Sequence, residues 1–154
     1  MLHRLFDFRK NQAGSVLVEF TITAPLLLGF WLAAMDFGFI LRDNATLTTA
    51  TNAGAYKLST DRGVSNTPLT DTVNQIKTAA GTLTTSNITT TLKVCTGPTS
   101  CTGCSTDADC LTKLTNAQGN GVTVATSYPC TFTLTALKLG STCTLTSSMT
   151  YIVQ

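Results

Sequence analysis

Residues 16–41 read VLVEFTITAPLLLGFWLAAMDFGFIL, a run whose only ionisable side chains are Glu19 and Asp36. At about 1.5 Å per residue, a helix of that length exceeds the roughly 30 Å of hydrocarbon in a bilayer. The run therefore predicts a membrane-crossing helix with room to tilt. Ahead of it stand His3, Arg4, Arg9 and Lys10 against the single acid Asp7, while Arg42 and Asp43 cancel behind it. Positive charge is retained on the cytoplasmic side, so the N-terminus is expected there and everything after residue 43 outside. Glu19 is the oddity of the run. A carboxylate in hydrocarbon costs a few kcal/mol even on lenient insertion scales, so it needs either a partner or a place near the interface.

A cleaved secretory signal also combines a basic start with an apolar stretch. Here the stretch is about twice the usual length for such a signal. No small-x-small cleavage site follows it, because Ala33-Ala34-Met35 lies inside the run and leads into Asp36. The small residue in a telling place is Gly14, at the end of the basic leader and five positions before Glu19. That order belongs to signals cut before the helix, which leave the helix in the mature chain.

Residues 14–57, GSVLVEFTITAPLLLGFWLAAMDFGFILRDNATLTTATNAGAYK, resemble the N-terminal module of TadE-type minor pilins of the tight-adherence (Flp/Tad) pilus. The resemblance rests on the Gly-x-x-x-x-Glu-Phe opening, on Pro25 a few turns later, and on acid-Phe-Gly at Asp36. Two later stretches are similar to the family's terminal strands: GVTVATSYP at 121–129 and TLTSSMTYIV at 144–153. Residues 58–120 resemble nothing comparable. The resemblance implies that a prepilin peptidase cuts between Gly14 and Ser15, making Glu19 the fifth residue of the mature chain. It further implies that the Glu19 carboxylate pairs with the new Ser15 ammonium of a neighbouring subunit and so sets the register of assembly. Such a pair in low dielectric makes a missing partner costly. The competing reading of Glu19 is plain snorkelling, since only about 6 Å of helix separates it from Ser15 and acids near an interface cost less than acids at the centre. Asp36 lies about 30 Å further along the helix, where the far headgroups are expected, and needs no special role. Pro25 lacks an N–H, so a kink or local unwinding is expected around Thr21 to Pro25.

Beyond the membrane the chain is rich in threonine, which suits strands and exposed polar faces. The first helix is expected to continue to about Tyr56. A loop carrying Asp61-Arg62-Gly63 and Asn66-Thr67-Pro68 follows. A second helix is expected over 70–80, with Thr70 as its cap and Val73, Ile76 and Ala80 on one face. After Gly81 the period becomes two. Ile88, Leu92 and Val94 share a face, as do Val122 and Val124, as do Cys130, Phe132 and Leu134, and as do Leu145, Ser147, Met149, Tyr151 and Val153. The expectation is α+β and pilin-like: a long N-terminal helix, half in the membrane and half against a small antiparallel sheet. The predicted organisation is a leader at 1–14, a transmembrane and assembly helix at 15–57, and a periplasmic or pilus-surface α+β domain at 58–154.

All six cysteines lie beyond Leu92. Cys95, Cys101, Cys104 and Cys110 space as C-x5-C-x2-C-x5-C, which departs from the two C-x2-C pairs of most zinc ribbons. In an exported domain, disulfides are expected instead. Cys130 is expected to pair with Cys143 and the inner four to pair among themselves; of the three pairings open to them, the nested set of Cys95 with Cys110 and Cys101 with Cys104 is favoured over the interlaced Cys95–Cys104 and Cys101–Cys110, which needs a more contorted loop. Asp107 and Asp109 lack the further oxygen ligands of a calcium loop and read as solvated loop acids. No metal or cofactor is implied.

The only histidine, His3, lies in the expected leader, so a mature chain has no imidazole base for Ser–His or Cys–His catalysis. No enzyme is expected. A net charge of +2 with 12% charged residues offers no dense basic face for phosphate, which excludes a nucleic-acid partner. The reading is a minor pilin or pseudopilin of a Tad-type pilus, with roles in pilus assembly, adherence and biofilm formation implied by the resemblance. Its expected partners are other pilin and minor pilin subunits, the prepilin peptidase and the inner-membrane assembly machinery. It is placed in a bacterial inner membrane, single-pass, with its C-terminal domain periplasmic or carried into an extracellular pilus. The alternative is a single-pass, membrane-anchored, exported binding or adhesive module that does not polymerise.

Overall fold

A computed structural model describes residues 12–97, 100–130 and 143–154, with side chains of the first helix from residue 16 onward. Helix α1 spans Gln12–Thr60 and carries Pro25 inside it. It stays helical through Thr21 to Pro25, so the unwinding expected there does not occur. Packing divides the chain into two units, Met1–Gly38 and Phe39–Gln154. The described part of the first is helix alone, and its large apolar side chains, among them Phe20, Leu27, Phe30 and Trp31, are exposed.

The second unit begins with the rest of α1, where Leu47, Ala50, Thr51, Ala55 and Leu58 are fully or nearly fully buried. Their three- and four-residue spacing is one face of an α-helix. After a turn in which Gly63 takes a positive φ, helix α2 spans Pro68–Ala79. Its start lies earlier than the sequence suggests, because Pro68 fits the first turn, where its missing N–H is no loss. Thr67 holds the cap position, not Thr70. Ile76 and Ala80 are buried as expected, but Thr72 and Pro68, not Val73, are the other buried residues of this stretch.

Four antiparallel strands form one sheet: β1 Thr89–Cys95, β2 Cys101–Gly103, β3 Gly121–Cys130 and β4 Cys143–Ile152, in the order β2-β1-β3-β4. The register pairs Leu92 with Val124 and Val124 with Met149, and pairs Val94 with Val122 and Val122 with Tyr151. Each row is apolar on the inner face, as the period-two reading requires. The intervening positions, such as Thr91, Ala125 and Ser148, form the outer face. Phe132 and Leu134 lie outside the described residues.

Helix α1 lies against the inner face within this unit, in one core with Ile76, Leu83, Leu92, Val94, Val122, Val124 and Val153. Polar contacts fix the seating. The hydroxyls of Thr51 and Thr126 bond in the interior at 2.5 Å, the Tyr151 hydroxyl donates to Asn52 Oδ1 at 2.6 Å, and the Tyr56 and Tyr151 rings meet edge to face at 6.1 Å. The Gln154 amide donates to the Ser59 carbonyl at 3.1 Å, tying the strand end to the helix end. Gly54 lies where α2 crosses α1: a β-carbon there would stand 2.7 Å from Ile76 Cδ1.

A third helix, α3, spans Asp107–Thr115, where the sequence suggests only a cysteine-rich loop. The Thr106 side chain accepts from the Asp109 amide at 3.2 Å and caps its start. Leu114 and Cys110 are buried on the inner side of this helix.

Candidate functional site

The apolar half of α1 is the candidate site, and its local chemistry is that of a helix whose side chains are largely exposed among the described residues. Hydroxyls in such a helix must find acceptors in their own backbone. Thr21 Oγ1 donates to the Leu17 carbonyl at 2.7 Å, and Thr23 Oγ1 donates to the Glu19 carbonyl at 2.9 Å. Pro25 brings no N–H to the Thr21 carbonyl four residues earlier. Gly14 and Ser15 lie in the first turn of α1, and Glu19 follows one turn after Ser15 with its side chain exposed. Among the described residues, no side chain pairs with Glu19. Asp36 contrasts with its neighbours: it is only 7% exposed and is engaged within the chain. The helix is long and apolar enough to cross a membrane, consistent with a single-pass anchor.

Three disulfides join the six cysteines: Cys95–Cys101, Cys104–Cys110 and Cys130–Cys143. The last pair is the one expected. The nested pairing of the inner four is wrong, and secondary structure is the reason. Cys95 and Cys101 sit opposite one another in the β1–β2 register, with Cα atoms 3.9 Å apart. Cys104, just past β2, faces Cys110 on the first turns of α3, at a Cα separation of 5.0 Å. Among the described residues no cluster of His, Cys, Asp and Glu could hold a metal ion.

The reading of Asp107 and Asp109 as solvated loop acids is also corrected, since both belong to the first turn of α3. Asp109 accepts from Lys113 Nζ at 2.8 Å, and this bond, helped by the Ser105 amide, holds its carboxyl below the usual range. Asp107 reaches out of α3 to α2. Its two oxygens accept from the Thr70 hydroxyl at 2.6 Å and the Thr70 amide at 2.9 Å, and the hydroxyl bond chiefly lowers its pKa. Sequence reasoning also missed Lys57, which bonds the buried Asp61 carboxylate at 2.5 Å. That bond holds the Lys57 ammonium above its ordinary value, against the opposing effect of burial. The spacing of four between Lys57 and Asp61 was the available signal.

Residues 14–55 match the sequence model of a family described as TadE-like protein. The match begins at Gly14 and takes in the whole apolar run and the first buried turns of the second unit. No curated protein and no solved structure matches the chain.

Proposed function

We propose that this chain, whose residues 14–55 form a TadE-like segment, is a minor pilin or pseudopilin subunit of a Tad-type pilus. The observation that carries the reading is that segment itself, which begins at Gly14 in the first turn of α1 and whose large apolar side chains are exposed within the chain. Such a surface needs lipid before assembly and other helices after it. The family resemblance supplies a structural role, not an enzymatic one.

In this proposal a prepilin peptidase cuts after Gly14 from the cytoplasmic side and leaves Ser15 as the first residue. The new ammonium and the Glu19 carboxylate then stand about 6 Å apart along one helix. Within a single helix the carboxylate favours the positive N-terminal end of the helix dipole. Between subunits, the ammonium of one copy pairs with Glu19 of the next, and a copy out of register leaves a charge unpaired in low dielectric. The second unit stays outside the inner membrane, where its disulfides form, and is carried to the pilus for adherence and biofilm formation.

N-terminal sequencing of protein extracted from membranes tests the proposal. Ser15 as first residue is expected, whereas Met1 would support an unprocessed anchor. A Gly14→Glu chain is expected to keep its leader. Glu19→Ala is expected to be inserted and cut normally yet to be lost from purified pili. Normal incorporation of that variant would reduce Glu19 to a snorkelling acid.

A further inference from the structure

Helix α2 does not cap itself. Thr67 occupies its cap position but makes no side-chain bond to the first turn. The third residue of the helix, Thr70, instead directs its amide and its hydroxyl at Asp107, 37 residues later in the chain. An oxygen accepting from that amide does the work of an N-cap, and a carboxylate adds a favourable charge at the positive end of the helix.

Asp107 can do this only because of where it is held. It lies midway in the short loop closed by Cys104–Cys110. On one side of that loop the Cys104 amide is bonded to the Leu92 carbonyl of β1 at 3.1 Å. On the other, Cys110 is completely buried. The disulfide thus fixes the start of α3 against the sheet, with Thr106 capping it and Asp109 braced by Lys113. At its far end, α3 accepts from Arg62 Nε at the Thr115 carbonyl, in the turn that leads into α2. Helix α2 in turn sets Ile76 against Gly54 of α1.

We propose that the Cys104–Cys110 disulfide is a conformational latch: its formation from the two thiols presents Asp107 to the N-terminus of α2 and so docks that helix on α1. The chemistry is ordinary thiol–disulfide exchange with a disulfide-bearing oxidant. The Cys104 thiolate attacks the oxidant and forms a mixed disulfide. The Cys110 thiolate then attacks the Cys104 sulfur, closing the loop and releasing the oxidant as a dithiol that has taken up two electrons and two protons. Before that step, α3 is a nine-residue helix, too short to hold its shape unaided, and the cap on α2 has no fixed support. The Cys95–Cys101 pair joins β1 to β2 and does not enclose Asp107, so it is not part of the latch.

Hydrogen exchange of the full chain in detergent tests this, comparing the native protein, C104A/C110A, C95A/C101A and Asp107→Asn. Loss of an N-cap corresponds to about a fivefold change in a local opening equilibrium. The Thr70 amide and the first turn of α2 are therefore expected to exchange about fivefold faster in C104A/C110A, with a smaller rise in Asp107→Asn and none in C95A/C101A. Titrating the native protein with dithiothreitol is expected to give the same rise in step with labelling of Cys104 and Cys110. Unchanged protection of α2 in C104A/C110A would overturn the latch. A uniform rise that includes Val122 and Val124 in β3 would overturn it too, because the disulfide would then stabilise the whole unit and not the cap. Asp107→Asn keeps the disulfide, so an unchanged first turn in that variant would overturn the role of the carboxylate even if the cysteine variants fail to fold.

Discussion

The two halves of α1 are built from one unbroken helix yet solve opposite problems. Before Gly38 the helix is apolar around its circumference, and its Leu, Phe and Trp side chains are exposed. After Phe39 it becomes amphipathic, with Leu47, Thr51 and Leu58 buried on one face and Asn44, Thr49 and Asn52 exposed on others. Both halves are helical throughout, apart from the one bond that Pro25 cannot donate. The difference lies in what covers the side chains. The second half draws its stability from the sheet of its own chain, whereas the first leaves its apolar surface for a lipid or protein environment outside the chain.

The sharpest way to break this comparison is to truncate one leucine in each half. Leu58→Ala removes a fully buried side chain and is expected to cost about 2–5 kcal/mol. Leu27→Ala, in the exposed half, is expected to leave the unfolding midpoint of the second unit unchanged. Guanidinium titration of both variants in the same detergent, followed by tyrosine fluorescence, checks the pair. Equal losses would show that the halves are not energetically distinct.

Lys57→Met is the next largest. It leaves Asp61, only 1% exposed at its side chain, without its ammonium. Removing one partner of a fully buried pair costs about 3–5 kcal/mol, and because Lys57 is partly exposed, a smaller loss of about 1–3 kcal/mol is expected here. The double variant K57M/D61N should recover much of it in the same titration.

Gly54→Ala sets two effects against each other. Alanine gains about 1 kcal/mol of helix propensity over glycine, but its β-carbon collides with the buried Ile76 side chain, and overpacking costs about 1–3 kcal/mol. A net destabilisation of about 1 kcal/mol is expected by the same balance. Adding Ile76→Val should relieve the clash and restore the midpoint, while Gly29→Ala in the exposed half, where no neighbour is close, should leave the midpoint of the second unit unchanged.

The smallest effect is that of pH. The Asp107 and Asp109 carboxyls titrate below their ordinary value in the folded chain. Their stabilising contribution is therefore complete above the ordinary carboxylate range and is lost as pH falls through the lowered values. Lys57 has the opposite sign: its contribution holds below the ordinary lysine value and is lost as pH climbs through the raised one. Stability of the second unit is expected to be flat near neutrality and to fall at both extremes. Asp107→Asn should flatten the acid limb, measured by the unfolding midpoint between pH 5 and pH 2.

How much of this was legible follows from which residues act locally. The apolar helix could be read from the chain alone because its length follows from a fixed rise per residue. The strands could be read from alternation, and Val94, Val122 and Tyr151 line one face as that period requires. Helix α3 was obscured by a stretch dense in Cys, Gly, Ser and Thr, although Thr106 three residues before Asp109 is a capping pattern and Asp109 four before Lys113 is a helical ion pair. The disulfide pairing failed for the same reason: a loop with no internal structure favours nesting, whereas a strand pair and a helix start bring together cysteines six residues apart.

By itself, then, the sequence determined much of what depends on spacing along one element: the membrane-length helix, its continuation past Phe39 and the inward rows of the sheet. Only the tertiary structure decided which cysteines meet, that Thr51 seeks Thr126 across the core at a separation of 75 residues, and that Asp107 caps a helix far from it in the chain. These contacts join elements whose mutual placement is set by burial of a shared core, and burial is non-directional. It selects neighbours by volume and shape, which no periodicity along the chain records.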